Sequence, residues 1–576
     1  MPTSSAEKPH DRNLNTVERA LLDIGARISD NRATVLNALA LAGIFVFAFA
    51  HSAQYAGAII DDAFITFRHA LNIVEGHGFT CNPNERIEGT SSFLLTLISV
   101  LPIGLGADPL LFAKTLGSLS FSGCALAAYG SVRYCLSGRL GNLLGLLAAV
   151  CVAASAPLAF HSQTGLEAVF YAFLVAFGLM LYFAKFVAGA SSRSRWAVVM
   201  GLAAITRPEG AIFFVILFVP AMVRSIDIPS LRPALRRDAL FFFVVFGTIF
   251  LFRVLYFGTF LPNTVIAKSG TPLGLTDFRI DAVLRALGYL GSYRGLDYLT
   301  AQAISVILSL FTLLYRPTRL AGIAVLGIFA GAVAVVMWNG KGADWMPYHR
   351  LMTPAIAPLA VGAALGIRSI FFHHEQAPVP SAVFTLVLFS LCIVSAHHPL
   401  KVEVSSVLYP QVKEIGQRLS ELKRPGDVVA SDTGGILPYY WGIEVIDTVG
   451  LCDSYLARHG KLLAGIGKTE LVYVAEQQPT FYVFTYPSGA AGLYRNPLFS
   501  PYRDDYYLLK WPWQYYGKRL APITLLVRKD RPDVHQFAAA LGGTLLDPEA
   551  ELRRTGFLPK CRLSASDRIP DADRIP

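Results

Sequence analysis

Charged residues are scarce in this sequence of 576 residues: Asp, Glu, Lys and Arg make up 16% of it, against 53% hydrophobic residues. Soluble domains carry about 25% charged residues, so a chain wetted on every side is excluded. The mean hydropathy of +0.47 points to a polytopic membrane protein instead. Cysteine is sparse as well: the 7 residues at 81, 124, 135, 151, 392, 452 and 561 show no metal-ligand spacing. Three of them fall in apolar runs as ordinary small hydrophobes. Cys452 and Cys561 lie in the polar C-terminal part, where an oxidising compartment would let them pair. No His-x-x-x-His or carboxylate run is present, so no obligatory catalytic ion is expected, although a structural calcium ion is compatible with the sequence. A phosphate loop is missing too. "LLAGIGKTE" (462–470) imitates one, but Leu462 stands where its first glycine is required.

What is abundant is long apolar runs. The formal charge of +10 reflects arginines in the short loops between them, where cations set membrane orientation, and no nucleic-acid surface is read from it. Residues 1–33 are too long and too mixed in charge for a cleaved signal and read as a cytoplasmic tail. One arrangement keeps the arginine loops on one side. Its spans are 34–53, 109–131, 141–158, 166–187, 196–206, 209–223, 239–257, 299–315, 320–338, 351–367 and 381–396, about 11 crossings. In it, 91–106 lies on the outer surface as a short helix, and the outer segments are 54–108, 159–165, 258–298, 339–350 and everything after 397. The pair 196–206 and 209–223 is short and broken by "TRPEG" (206–210), which sets Arg207 and Glu209 near membrane depth, an expensive placement that points to function.

From 397 to 560 the chain becomes more polar. Runs such as "GDVVA" (426–430), "IEVIDTV" (443–449), "TFYVFTY" (480–486) and "PITLLVRK" (522–529) predict an extracytoplasmic α/β domain. Residues 561–576, with "DRIP" repeated, read as a flexible tail.

Two adjacent carboxylates, Asp61 and Asp62, stand where the chain leaves its first apolar run. Phe64, Phe67, Leu71 and Val74 recur at helical spacing, so 63–75 can lie on the outer leaflet with its apolar side down. One Asp would then cap that helix, and the other, its pKa raised by repulsion, would be placed as a general base.

The stretches "DDAFITFRHALNIVEGHGFTCNPNERIEGTSSFL" (61–94), "TGLEAVFYA" (164–172), "TRPEG" (206–210), "RVLYFGTFLPNTVIAK" (253–268), "GADWMPYHRLMTP" (342–354) and "SDTGGILPYYWGIEVIDTVGLCD" (431–453) together carry a resemblance. The chain resembles the C-type integral-membrane glycosyltransferases. Within them it is most similar to the mycobacterial terminal arabinofuranosyltransferase family, whose donor is decaprenyl-phosphate arabinose. The resemblance implies a C-type fold in a bacterial inner membrane, a polyprenyl-phosphate sugar donor, a polysaccharide or other glycoconjugate acceptor outside, and inversion at the anomeric carbon. It implies a base at Asp61 or Asp62, with Asp61 preferred. A departing phosphate needs cations near the headgroup plane, and the candidates are Arg68, His77, Arg207, Lys268, Lys341, His349 and Arg350. Lys268 and Arg350 rank first because their motifs match the family. Asp344, Trp345, Glu167, Glu209, Trp511 and Trp513 are candidates for holding sugar or acceptor. For Trp345 a place in the interfacial aromatic belt is the commoner fate, as aromatic packing is for the "WPWQYYG" cluster (511–517). The main rival reading is a transporter or flippase of a lipid-linked intermediate. No second copy of "DDAFITF" or "TRPEG" is present, which argues against repeated transporter halves. A protein O-glycosyltransferase of the same superfamily is the other alternative.

Overall fold

The computed structural model describes residues 16–190, 193–269, 296–338, 350–371, 403–463, 467–484, 487–510 and 524–556. The expected span 381–396 and the expected tail 561–576 lie outside the described residues.

Helix α1 (Thr16–Ala53) leads into the bundle. The loop from 54 to 108 contains α2 (Asp62–Val74) and α3 (Phe93–Gly104). Then follow α4 (Pro109–Cys135), α5 (Gly138–Ala153), α6 (Ala156–His161), α7 (Ala168–Phe186), α8 (Arg195–Thr206), α9 (Gly210–Asp227) and α10 (Arg232–Phe257). The short α11 (Asn263–Ser269) is outside the bundle, which is completed by α12 (Leu296–Phe311), α13 (Arg316–Trp338) and α14 (Thr353–Phe371). Seven helices among the described residues are long and apolar enough to cross a membrane. The expected crossings at 141–158, 196–206 and 299–315 fall on shorter apolar helices. This is a multi-pass membrane protein.

Local chemistry explains the bundle's central member. Asp108 precedes Pro109 and accepts from the Leu110 and Leu111 amides, so α4 starts with its orphan donors met. α4 then packs on α1, α5 and α7. Small residues allow close approach: a side-chain carbon at Gly117 would collide with the Ser162 backbone. One buried knot ties α7, α8 and α10, with Lys185 Nζ at 2.7 Å from both Asp238 oxygens and Trp196 Nε1 at 2.9 Å from Oδ2. Both charges are thereby paired away from lipid.

The C-terminal part begins with α15 (Glu403–Glu421) and forms a six-stranded mixed sheet. Its strands are β1 (Val428–Ser431), β2 (Glu444–Asp447), β5 (Phe481–Phe484), β6 (Tyr506–Lys510), β7 (Thr524–Arg528) and β8 (Thr544–Leu546). β3 (Lys461–Leu463) and β4 (Gly467–Thr469) make a separate antiparallel pair, the fate of the stretch that imitates a phosphate loop. The sheet order is β2-β1-β5-β7-β6-β8, with β1 parallel to both β2 and β5. Alternation along the strands sends Val429, Phe481, Val483, Leu525 and Val527 to one core and Ala430, Tyr482, Phe484 and Leu526 to the other. The first core also contains Ile65 and Cys81 of the outer loop, so the sheet and the loop share one interior.

Candidate active site

The outer loop is built around α2. The expectation of a helix resting on the outer leaflet is corrected: residues Ala63 to Ala70 are all buried, because α3 packs against one side and α16 (Ile436–Trp441) of the C-terminal domain against another. Phe64 is fully enclosed, with the rings of Tyr409, Tyr439 and Tyr440 at 5.4–5.7 Å.

Asp61 directly precedes α2 but makes no side-chain cap for it. Its carboxylate crosses to the C-terminal domain: Oδ2 accepts from the Gly435 amide at 2.9 Å and Oδ1 from the Ile436 amide at 2.8 Å. A side-chain carbon at Gly435 would strike the Asp61 carbonyl, so glycine is required for this approach. Asp61 sits deep among protein atoms while part of its surface still meets solvent. Burial pushes its carboxyl up to about 7, the two amides pull it down, and Asp62 and Asp447 add repulsion. Asp62 is half-buried beside it.

Asp447, at the end of β2, is buried and accepts from the Val449 and Cys452 amides at 2.9 Å. Burial pushes it up to about 6 against the pull of those amides. The turn it closes presents Cys452, which is disulfide-bonded to Cys81 with the Cα atoms 6.0 Å apart. Cys452 is thereby taken, and the pairing with Cys561 that the sequence left open is not made.

Arg68 belongs to the same junction. It is 6% exposed and donates to the carbonyls of Cys81 and Ile443, both at 2.6 Å, and to Asn82 Oδ1 at 3.1 Å. The guanidinium is directed into the protein and not towards a headgroup, which corrects its expected place. Asn82 continues the seam by exchanging hydrogen bonds with the Val445 backbone. His77 is exposed beyond the far end of α2, near Glu75, about 20 Å along the helix axis from Asp61. That geometry separates it from the carboxylates.

Several participants were not singled out from sequence. Glu88 and Arg253 form a buried bidentate pair, with Nε 3.0 and 2.9 Å from the two oxygens and Nη2 2.9 Å from Oε1. His69 is buried, with Nδ1 2.7 Å from the Ile65 carbonyl and Nε2 accepting from the Gly89 amide. Asn263, from "LPNT", donates to the carbonyls of Gly450, Leu451 and Asp453. The residues were visible in the quoted motifs, but their partners lie up to 190 positions away.

A second cluster lies at the ends of α7, α8, α13 and α14. Arg207 Nη1 is 2.6 Å from Glu167 Oε1, and Nη2 is 2.9 Å from Glu209 Oε1. Arg207, Glu209 and Arg350 gather at a small cleft also lined by Tyr171, Phe213 and Thr353, with Glu167 behind Arg207. Glu209 Oε2 and the Tyr171 hydroxyl are buried and have no hydrogen-bond partner among the described residues. Tyr171 follows Glu167 by one helical turn, the spacing that could have marked it. The two clusters are joined by the backbone: Ile60 donates to the Thr164 carbonyl at 3.1 Å. Glu167 follows Thr164 by three positions, at most about 11 Å of chain.

Lys268 lies in α11. Lys341, Asp344, Trp345, His349, Trp511 and Trp513 lie outside the described residues. Among the described residues no group of three or more His, Cys, Asp or Glu side chains is placed to hold a metal ion.

Residues 404–533 match a family model described as a domain of unknown function, DUF8728. No curated protein matches the chain. The structure is similar to ArnT from Cupriavidus metallidurans bound to undecaprenyl phosphate, at 14% identity and a TM-score of 0.52, covering 86% of this chain and 98% of that one. The apo state of ArnT matches at 13% identity and a TM-score of 0.50, with the same coverage. An oligosaccharyltransferase from Archaeoglobus fulgidus, in complex with Zn and sulfate, matches at 15% identity and a TM-score of 0.48, covering 83% of this chain and 73% of that one. At such identities the likeness is one of fold. The chain has the C-type glycosyltransferase fold, with a C-terminal sheet domain.

Proposed function

We propose that this protein is a membrane glycosyltransferase that moves a sugar from a polyprenyl-phosphate donor to a glycan acceptor outside a bacterial inner membrane. The observation that carries the reading is the link from Ile60 to Thr164, which ties the segment before Asp61 and Asp62 to the chain leading into Glu167, the partner of Arg207 in the Arg207–Glu209–Arg350 cleft. A base and a cleft that holds Arg350 at the ends of apolar helices suit a donor that arrives through lipid.

In this reading Asp61 takes the proton of the acceptor hydroxyl. The freed oxygen attacks the anomeric carbon, the bond from that carbon to the phosphate oxygen breaks, and the polyprenyl phosphate leaves with the electron pair. A pKa near 7 matches a base working at neutral pH. Cations of the expected outer segments, Arg350 and Lys268 first and Lys341 and His349 with them, meet the growing phosphate charge. Arg207 is neutralised by its two carboxylates, so its part is to hold Glu167 and Glu209 in place. Glu209 and Tyr171 then offer polar atoms to sugar hydroxyls. Asp344, Trp345, Trp511 and Trp513 are proposed for sugar and acceptor. Direct displacement inverts the anomeric centre.

The donor proposed is decaprenyl-phosphate arabinose, on the resemblance to the mycobacterial family. In the proposed layout 1–33 is cytoplasmic, 34–396 is the membrane domain, and 397–560 faces the periplasm. A Cys81–Cys452 disulfide in an oxidising compartment agrees with that orientation. The test is transfer of radiolabelled arabinose from this donor to an arabinan oligosaccharide by the purified protein. Transfer that falls about 10²–10⁴-fold in Asp61→Asn is the expected result. Activity with another polyprenyl-phosphate sugar would overturn the arabinose assignment, and inertness with all of them would favour transport.

A further inference from the structure

The reaction proposed above places the base in the membrane half of the chain. The contacts around that base come from the other half. The Asp61 carboxylate accepts hydrogen bonds from the backbone amides of Gly435 and Ile436, which lie 374 and 375 positions away. Around this point Arg68 reaches the Ile443 carbonyl, Asn82 pairs with Val445, Asn263 gathers three carbonyls between Gly450 and Asp453, and Cys81 is bonded to Cys452. These ties all come from the β2 edge of the sheet: the start of α16, β2 with the residue before it, and the turn after it.

We propose that the C-terminal sheet domain is a positioning element for the catalytic base, with Gly435 as the positioning residue that fixes the Asp61 carboxylate through its own amide and that of Ile436. This inference rests on the reading of Asp61 as base. Three features support it. The Asp61 side chain leaves its own helix uncapped to make these bonds. Gly435 has no room for a side chain, because the Asp61 carbonyl occupies the space where one would start. Gly434, next in the same turn, lies against Asp447, so the backbone at 434–435 is wedged between two carboxylates. Two bonds, one to each oxygen, set the plane of the carboxylate as well as its place, and leave a lone pair on each oxygen for the acceptor hydroxyl. The charged groups facing Asp61 are Asp62 at the start of α2 and Asp447 on the turn after β2, both of which oppose its ionisation.

Two measurements on the full-length protein test this. The first is hydrogen exchange of the 432–441 segment, compared between wild type and Asp61→Ala. Loss of the acceptor carboxylate should speed exchange at Gly435 and Ile436 about tenfold or more, whereas unchanged exchange would overturn the clamp. The second is the pH profile of transfer for Gly435→Ala, with Cys81→Ser as a variant that loosens the same junction away from the base. A displaced carboxylate should lower kcat roughly 100-fold, with acceptor KM little changed and the pH midpoint moved from its wild-type value. Gly435→Ala with the wild-type kcat and pH midpoint would overturn the positioning role. So would a midpoint that stays in place while kcat and the yield of folded protein fall together in both variants, since that is loss of structure alone. If the wild type transfers no sugar from any polyprenyl phosphate, the base reading falls and this catalytic role with it, while the exchange measurement still decides whether the clamp exists.

Discussion

The buried pair between Glu88 and Arg253 permits a quantitative test of how the outer loop is held. Both residues are 2% exposed, and three N–H···O contacts of 2.9–3.0 Å join them. The Arg253 guanidinium also lies 5.7 Å from the Phe93 ring, and the Glu88 carbonyl accepts from the Asn263 amide at 3.0 Å. One residue therefore connects the loop to α10, and its backbone connects it to α11. Replacing either partner by alanine leaves the other charge buried and unpaired, which costs about 3–5 kcal/mol. Replacing both removes the stranded charge, so the double variant should be less damaged than the sum of the singles, with a coupling of about 2–3 kcal/mol. Equilibrium unfolding in detergent of wild type, Glu88→Ala, Arg253→Ala and the double variant closes the cycle. Single effects that add in the double variant to within about 0.5 kcal/mol would refute the pairing as the source of the stability.

Other perturbations reach the rest of the site. Transfer by the wild type should rise with pH through about 7, because Asp61 must lose its proton to act as base; a rate flat from pH 5 to 8, read as steady-state kcat, would contradict that role. Arg207→Lys keeps a charge but not the fork that reaches Glu167 and Glu209 together. It should weaken donor binding about tenfold, measured by competition with polyprenyl phosphate, and wild-type binding would remove Arg207 from the cleft's construction. Cys81→Ser opens a loop of 371 positions and should cost about 2–5 kcal/mol, visible as protease cleavage of the C-terminal domain at lower temperature than in wild type.

Much of the architecture was legible because membrane insertion depends on local composition. The runs from 109 to 131 and from 239 to 257 are apolar and of spanning length, and both are helices in the structure. Strands rich in Val, Ile, Phe and Leu were equally visible: "GDVVA" overlaps β1, and "IEVIDTV", "TFYVFTY" and "PITLLVRK" contain β2, β5 and β7. The strands β6 and β8 were missed. β8 has only three residues, and its place is set by pairing with β6, which no local pattern encodes. The site shows the same division. Asp61 and Asp62 announce themselves as an adjacent pair, but the acceptor role of Asp61 towards Gly435 is a long-range contact that periodicity cannot contain. α2 has the apolar spacing of a surface helix, and only docking of the C-terminal domain turns it into an enclosed one. Cys452 has two sequence partners of equal chemistry, Cys81 and Cys561, and the choice depends on which of them the fold brings within reach.

The Cys81–Cys452 bond also has a meaning in time. During synthesis the outer loop emerges 371 residues before the segment that completes it. At 5–20 residues per second this interval is roughly 20–75 s. Throughout it Asp61 has no Gly435 or Ile436 amide to hold it, and Cys81 is an unpaired thiol. A nascent chain therefore passes most of its insertion with the Asp61 carboxylate unheld, and the junction is completed only when the C-terminal domain has folded onto the first loop.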